Sequence, residues 1–325
     1  GARLFSIYCA WMTLGLIFLA AYRRSSAARL RIRLLFATLA ALWMAALPLF
    51  IYTSGRAWNH DLPILLTLLA AGLLLGDMSH PSDRRISWTA LGAGVLLGLA
   101  IIARASFALL IPAFLVGYWL SAPQEHARRL RTIGWFGLGG ILGALPALWL
   151  LARGPEGFFF GNLTYVRLNT QYYLAQAADY PGMSVGAKLR VGGDLLLRQP
   201  ANALPLLTFV AMAAWAWRAC TATQRRALLV LALLILSAFL SALAATPAQT
   251  QYFYAPLPLA VFGTLHAVSF LATERRARGI AAMGGAAILA LALTARLYGP
   301  GLAIVAQPDE WYPRKVHARG ELIAG

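Results

Sequence analysis

The sequence predicts an all-α, polytopic integral membrane bundle of about ten transmembrane helices, with a long outer-side loop that carries an interfacial helix. Three observations lead there. Apolar residues make up 60% of the 325, charged ones only 12%, and mean hydropathy is +0.67; a single soluble core of this size could not hide so much apolar surface. The apolar residues fall in long blocks, many approaching the ~20 needed to cross a bilayer as helix. The basic residues gather in short clusters between alternate blocks, as in the cytoplasmic loops of membrane proteins.

In chain order the predicted spans are approximately 4–22, 34–53, 62–76, 88–103, 107–120, 133–152, 201–219, 227–245, 254–272 and 280–298. Several are shorter than a full crossing, so their helices are expected to run into the adjoining loops. Glycine stretches at Gly92–Gly98 and Gly134–Gly143 suggest close helix packing.

Orientation follows from arginine. One set of alternate loops holds sixteen, running from Arg23, Arg24, Arg29, Arg31 and Arg33 through Arg84, Arg85, Arg128, Arg129 and Arg131 to Arg218, Arg225, Arg226, Arg275, Arg276 and Arg278. The short loops of the opposite set hold two, Arg56 and Arg104. The first set is therefore assigned to the cytoplasm. The chain divides into a membrane domain, 1–298, with a long outer loop at about 153–200, and the start of an outer-side C-terminal region, 299–325.

The outer loop holds Phe158, Phe159, Phe160, Tyr165, Tyr172, Tyr173 and Tyr180, read either as an interfacial belt or as a surface for sugar stacking or acceptor binding. Its second half, Met183 to Gln199, alternates Lys188, Arg190 and Arg198 with aliphatic residues. That mixture suits a helix lying along the interface.

The net charge of +17 would fit a nucleic-acid binder by amount alone, but its distribution between spans argues for loops at a membrane surface and against nucleic acid. Cys9 and Cys220 sit within or at the end of apolar blocks, with no CxxC or Cys/His cluster, and read as packing residues. No zinc or disulfide framework is indicated.

Three constellations gather at outer mouths. The first is Ser54-Gly-Arg-Ala-Trp-Asn-His-Asp-Leu-Pro63, which packs Arg56, Asn59, His60 and Asp61 together just before a span. Ionisable groups at membrane depth are costly and tend to be functional. Asp61 reads either as part of a site or as a helix cap, with Pro63 in the first turn. The second is Arg104 with Ser106, where the arginine is either a snorkelling anchor or a fork for phosphate oxygens. The third, Thr246 to Pro258, presents Gln251, Tyr252 and Tyr254. Its amide and phenols suit sugar hydroxyls or phosphate, and a belt with a proline-shaped helix start accounts for the same residues.

At these places the sequence resembles membrane glycosyltransferases of the GT-C class, of the protein O-mannosyltransferase and aminoarabinose-transferase-like group. Arg3-Leu-Phe-Ser-Ile-Tyr and Tyr22-Arg-Arg24 look like that family's second span. Asn59-His-Asp-Leu-Pro63 is similar to the acidic motif at the outer end of its third span. Gly98 to Pro112 is similar to the segment with a basic residue for the donor phosphate. Gln251-Tyr-Phe-Tyr-Ala-Pro-Leu-Pro258 looks like its late Tyr-and-Pro motif, and Glu310-Trp-Tyr-Pro-Arg-Lys-Val-His317 like the start of its outer C-terminal domain.

The resemblance implies inverting transfer from a polyprenyl-phosphate sugar to a lipid, glycan or protein acceptor at the outer face. It implies an integral protein of a bacterial inner (plasma) membrane, active on the periplasmic side. Asp61 is expected to orient the acceptor or the base. Arg104 is expected to neutralise the donor phosphate, and Arg56, Asn59, His60, Gln251, Tyr252 and Tyr254 to bind substrate. His60 has no partner at ligand spacing; no metal residues are assigned, and a divalent cofactor stays open. The family's principal catalytic carboxylate is expected upstream of Gly1, which makes the chain read as a fragment inactive alone. A carrier or flippase for lipid-linked or polar solutes is the alternative function, and a structural membrane subunit a third.

Overall fold

The computed structural model describes residues 1–25, 28–56, 60–79, 83–121, 125–176, 182–271 and 273–305. Among them the secondary structure is helical, with no strand. The chain runs through α1 (Ala2–Arg24), α2 (Leu30–Ala45), α3 (Pro48–Thr53), α4 (Asp61–Ser79) and α5 (Asp83–Ala103). A 3₁₀ turn, Ala105–Leu110, leads into α6 (Ile111–Ser121), followed by α7 (His126–Arg153) and α8 (Pro155–Phe159). A π turn, Phe160–Thr164, joins α8 to α9 (Tyr165–Gln176), and α10 (Val185–Leu197) follows. The last four helices are α11 (Leu204–Trp217), α12 (Ala222–Ala244), α13 (Pro256–Phe270) and α14 (Thr273–Val305).

Seven helical segments among the described residues are long and apolar enough to cross a membrane: Ala2–Arg24, Asp61–Met78, His126–Arg153, Pro200–Trp217, Ala222–Ala244, Thr250–Phe270 and Arg275–Tyr298. The predicted spans 88–103 and 107–120 are also helical, but as the shorter apolar helices Ser87–Ala103 and Ala105–Ser121. The predicted span 34–53 is helical but broken. Pro48 has no N–H to continue a helix, Leu47 is extended, and the chain restarts as α3 with Pro48 in its first turn. The groups freed at the break find partners elsewhere: Thr294 Oγ1 donates to Ala46 O at 2.6 Å, and Leu49 N donates to Asn202 Oδ1 at 3.1 Å. In lipid such groups must be satisfied internally.

The molecule is apolar outside as well as inside. Trp11, Ile141, Leu207, Leu236 and Ile288 are all exposed, which water would penalise and hydrocarbon does not. The exception is α13, where every residue from Pro256 to Val268 is buried. A helix apolar all round is an interior helix, and α1, α2, α4, α11, α12 and α14 pack around it.

Glycine sets the tightest packing, between α5 and α7. A Cβ on Gly94 would lie 2.1 Å from Phe136 O, one on Gly98 2.5 Å from Gly140 O, and one on Gly139 2.1 Å from Leu91 O. Two small-xxx-small faces, Gly94/Gly98 and Gly139/Gly143, therefore meet backbone to backbone, the close approach that membrane helices use. The glycine stretches were legible as packing surfaces, and the pairing of these two helices is what the structure adds.

The long loop is helical too. From Pro155 to Gln176 it forms α8, the π turn and α9, whose Phe159, Phe160, Tyr165 and Tyr172 are exposed; Tyr180 lies outside the described residues. Helix α10 falls on the predicted interfacial segment, capped by Ser184 Oγ on Ala187 N. Its Lys188 does not face solvent. It is 7% exposed and donates to Leu243 O at 2.9 Å and Thr246 Oγ1 at 2.7 Å, pinning α10 to the end of α12.

The glycine contact yields a paired test. Gly139→Ala is expected to lower stability by about 1–3 kcal/mol, since its methyl meets a backbone oxygen that cannot yield. Gly140→Ala, whose Cβ has nothing within 4 Å, is expected to be neutral or stabilising. Thermal unfolding of the two variants in one detergent decides it, and equal midpoints would contradict this packing.

Candidate functional site

The site is built from four segments far apart in sequence, beginning with Asp61. Its carboxylate is 2% exposed at the first residue of α4, where burial of an acid demands partners. Three donors supply them: Ser6 Oγ at 2.5 Å and Gly55 N at 3.2 Å to Oδ2, and Ser54 Oγ at 3.0 Å to Oδ1. Gly55 holds the turn that aims its N–H, with φ +73, a conformation cheap only for glycine. Among the described residues the carboxylate makes no hydrogen bond to N–H groups of its own helix, so the capping geometry is not the one adopted. Asp61 instead ties α1 and the α3–α4 turn to the head of α4.

The preceding residue is thereby fixed. His60, 4% exposed, meets Arg104 Nη1 through Nε2 at 3.1 Å. A guanidinium only donates, so Nε2 accepts and the proton of the neutral ring sits on Nδ1. Burial, and secondarily the Arg104 charge, hold His60 down to about 3, which keeps it neutral and able to accept. Arg104 is itself the extended residue, φ −157, between α5 and the 3₁₀ turn. The two helices it joins double back on each other, since Tyr118 O–H donates to Thr89 O at 3.2 Å. Arg104 therefore stands at the apex of a helical hairpin.

The fourth segment arrives at the start of the α13 span. Arg104 Cζ lies 4.1 Å from the centroid of the Tyr252 ring, and the His60 and Tyr252 rings are 5.6 Å apart. Tyr254, 1% exposed, packs edge-on to Phe50 at 6.0 Å. The Tyr252–Tyr254 turn is held from behind by α10, where Gly192 leaves no room for a Cβ against Phe253, 2.7 Å away.

Of the residues singled out from the sequence, His60, Arg104 and Tyr252 form one cluster, with Asp61 and Tyr254 on the Ser54 turn beside it. Gln251 is half-buried next to Tyr252. Arg56 turns elsewhere, exposed, its Cζ 4.4 Å over the Tyr52 ring. Asn59 lies outside the described residues. Sequence reading missed Ser6, Ser54 and Gly55. A signal for Ser6 existed: Ser6, Cys9 and Thr13 are small or polar at helical spacing on what proves to be the buried face of α1. Among the described residues no group of three or more His, Cys, Asp or Glu comes together as a metal set.

The His60 environment has a pH consequence. Above about pH 6.5 His60 is neutral folded or unfolded and contributes nothing. Below that value the unfolded chain takes a proton that the folded site refuses down to about 3, so stability falls with pH by about 1 kcal/mol per unit from this residue. His60→Gln, which keeps an acceptor, is expected to flatten the fall in unfolding free energy between pH 6.5 and 5. An unchanged slope would contradict the buried, neutral imidazole.

Against this geometry stand the comparisons with known proteins. No curated protein and no solved structure matches the chain. Residues 1–151, which include α1 to α6, the Asp61 turn and Arg104, match the family model described as dolichyl-phosphate-mannose-protein mannosyltransferase, and that match supports a GT-C-type membrane glycosyltransferase that draws on a lipid-linked sugar donor.

Proposed function

We propose that the protein transfers a sugar from a polyprenyl-phosphate donor to a lipid, glycan or protein acceptor at the arginine-poor, outer face of a bacterial inner membrane. The observation that carries this reading is the Arg104 guanidinium, held between His60 Nε2 and the Tyr252 ring. An arginine braced on one side by a neutral acceptor and on the other by an aromatic face is a fixed cation, of the kind that meets a phosphate. It sits at the apex of the α5–α6 hairpin, within the segment that matches the mannosyltransferase family.

The chemistry is a displacement at the anomeric carbon. An acceptor oxygen forms the new glycosidic bond while the bond from that carbon to the donor phosphate oxygen breaks. The leaving polyprenyl phosphate departs with the electron pair, and the acceptor proton goes to a base. Arg104 meets the charge that grows on the phosphate, where a fixed donor is most effective. The geometry favours neither His60 nor Asp61 as the base: His60 Nε2 is occupied by Arg104, and the Asp61 oxygens accept three protein donors. Asp61 acts here as a positioning residue, through the turn that places His60. Tyr252 and the adjacent Gln251 and Tyr254 segment form the wall of the donor site.

The test is reconstitution of the protein in liposomes with a radiolabelled polyprenyl-phosphate sugar. Arg104→Ala is expected to cost on the order of 10²-fold in turnover with weakened donor binding, and Arg104→Lys to recover part of it as a point charge. Wild-type activity in Arg104→Ala would remove Arg104 from the donor site. Movement of the intact donor across the bilayer without transfer would replace the enzyme by a carrier.

A further inference from the structure

A second cleft lies at the other end of α4 from Asp61. It has a volume of ≈ 450 Å³ and opens between α1 and α4 over Phe262 of α13. Its walls are aliphatic, with Leu16, Leu69 and Leu73 facing across Gly72 and Gly76, and Arg23 and Arg24 stand at its rim. Residues 61 and 76 on one helix are separated by about 22 Å of rise, so the cleft shares no residue with the Arg104 site.

Arg24 is half-buried and Arg23 exposed, and among the described residues neither has a hydrogen-bond acceptor or an ion-pair partner. This contrasts with Arg276, whose Nη2 donates to Ser269 O and Leu271 O. Arg24 acts on His266, which is itself buried at 1% with Nε2 unpartnered and offers no counter-charge. Two guanidiniums left open above an aliphatic trough, at the arginine-rich end of a membrane helix, call for a ligand with an anionic head and an apolar tail.

We propose that this cleft binds an anionic phospholipid of the leaflet on the arginine-rich side, with its phosphate on Arg23 and Arg24 and one acyl chain along Leu16, Leu69 and Leu73. Arginines at a leaflet surface attract anionic lipid, so the pair favours an anionic over a zwitterionic headgroup by about tenfold or more. The lipid lies between α1 and α4, the two helices that Ser6 and Asp61 join at the opposite end.

Native mass spectrometry of the protein from micelles containing equal dioleoyl-phosphatidylglycerol and dioleoyl-phosphatidylcholine tests this. The wild type is expected to retain phosphatidylglycerol over phosphatidylcholine by about tenfold. The Arg23→Gln/Arg24→Gln double variant is expected to lose that preference, and Leu69→Trp, which fills the trough, to lose retention of either lipid. Arg23→Lys/Arg24→Lys keeps the charge and is expected to keep the preference, so the idea stays testable should the glutamine pair fail to fold. Equal retention of both lipids by the wild type would overturn the proposal, as would an undiminished preference in Leu69→Trp or stronger retention of added polyprenyl phosphate than of phosphatidylglycerol.

Discussion

A buried carboxylate at the mouth of a membrane helix is the constraint around which the site is arranged. Asp61 opens α4 with almost no exposure, and leaving it without donors would cost more than most single contacts in the protein supply. Satisfying it fixes three things together. It draws Ser6 of α1 against α4, shapes the Ser54–Gly55 turn with glycine in a left-handed conformation, and sets the direction of His60, the residue before it. Because His60 then offers Nε2 to Arg104, the guanidinium at the hairpin apex is held on that side by a fixed acceptor. In the proposed donor site the guanidinium is thus positioned by an acid that need not touch the substrate.

The scaffold supporting this arrangement is built by close backbone approach and by covered carbonyls. The α5–α7 glycine seam fixes α5, whose end delivers Arg104. On the other side, Lys188 holds α10 to Leu243 O and Thr246 Oγ1, Thr170 Oγ1 donates to Thr246 O at 3.2 Å, and Ala248 N donates to Gly182 O at 2.9 Å. The long loop is therefore fastened to the strip of chain just before Tyr252. The helix read from sequence as interfacial is also a brace for the candidate site. Its Val185, Leu189 and Leu197 remain exposed to the surroundings while Lys188 points inward.

Much of the membrane architecture was legible because it depends on composition over long windows. Apolar blocks are averages, and averages survive ignorance of partners. The three polar constellations stood out as well, since charge and amide groups are rare in this chain, and the structure brings His60, Arg104 and Tyr252 together from them. What the sequence did not reveal depends on pairings between distant residues. The break at Pro48 is tolerated because Thr294 and Asn202 happen to meet the freed groups; nothing local to Pro48 announces them. Lys188 read as a surface charge because its acceptors lie 55 and 58 residues away. Arg56 read as part of the cluster by proximity in sequence, yet its side chain stacks on Tyr52. Ser6 looked like one polar residue in an apolar span until the face it shares with Cys9 and Thr13 proved to be the buried one.

The central claim is that Asp61 acts on the donor through His60 and Arg104, and a double-mutant cycle on polyprenyl-phosphate affinity addresses it most directly. Asp61→Asn, Arg104→Ala and the combined variant would each be titrated with the same polyprenyl phosphate in detergent, with folding checked by thermal melts. Residues that work as one unit give non-additive losses. Each single change is expected to weaken binding, and the double variant to bind no worse than Arg104→Ala alone. Losses that multiply in the double variant would mean that Asp61 acts independently of Arg104, and the positioning role assigned to it would be wrong.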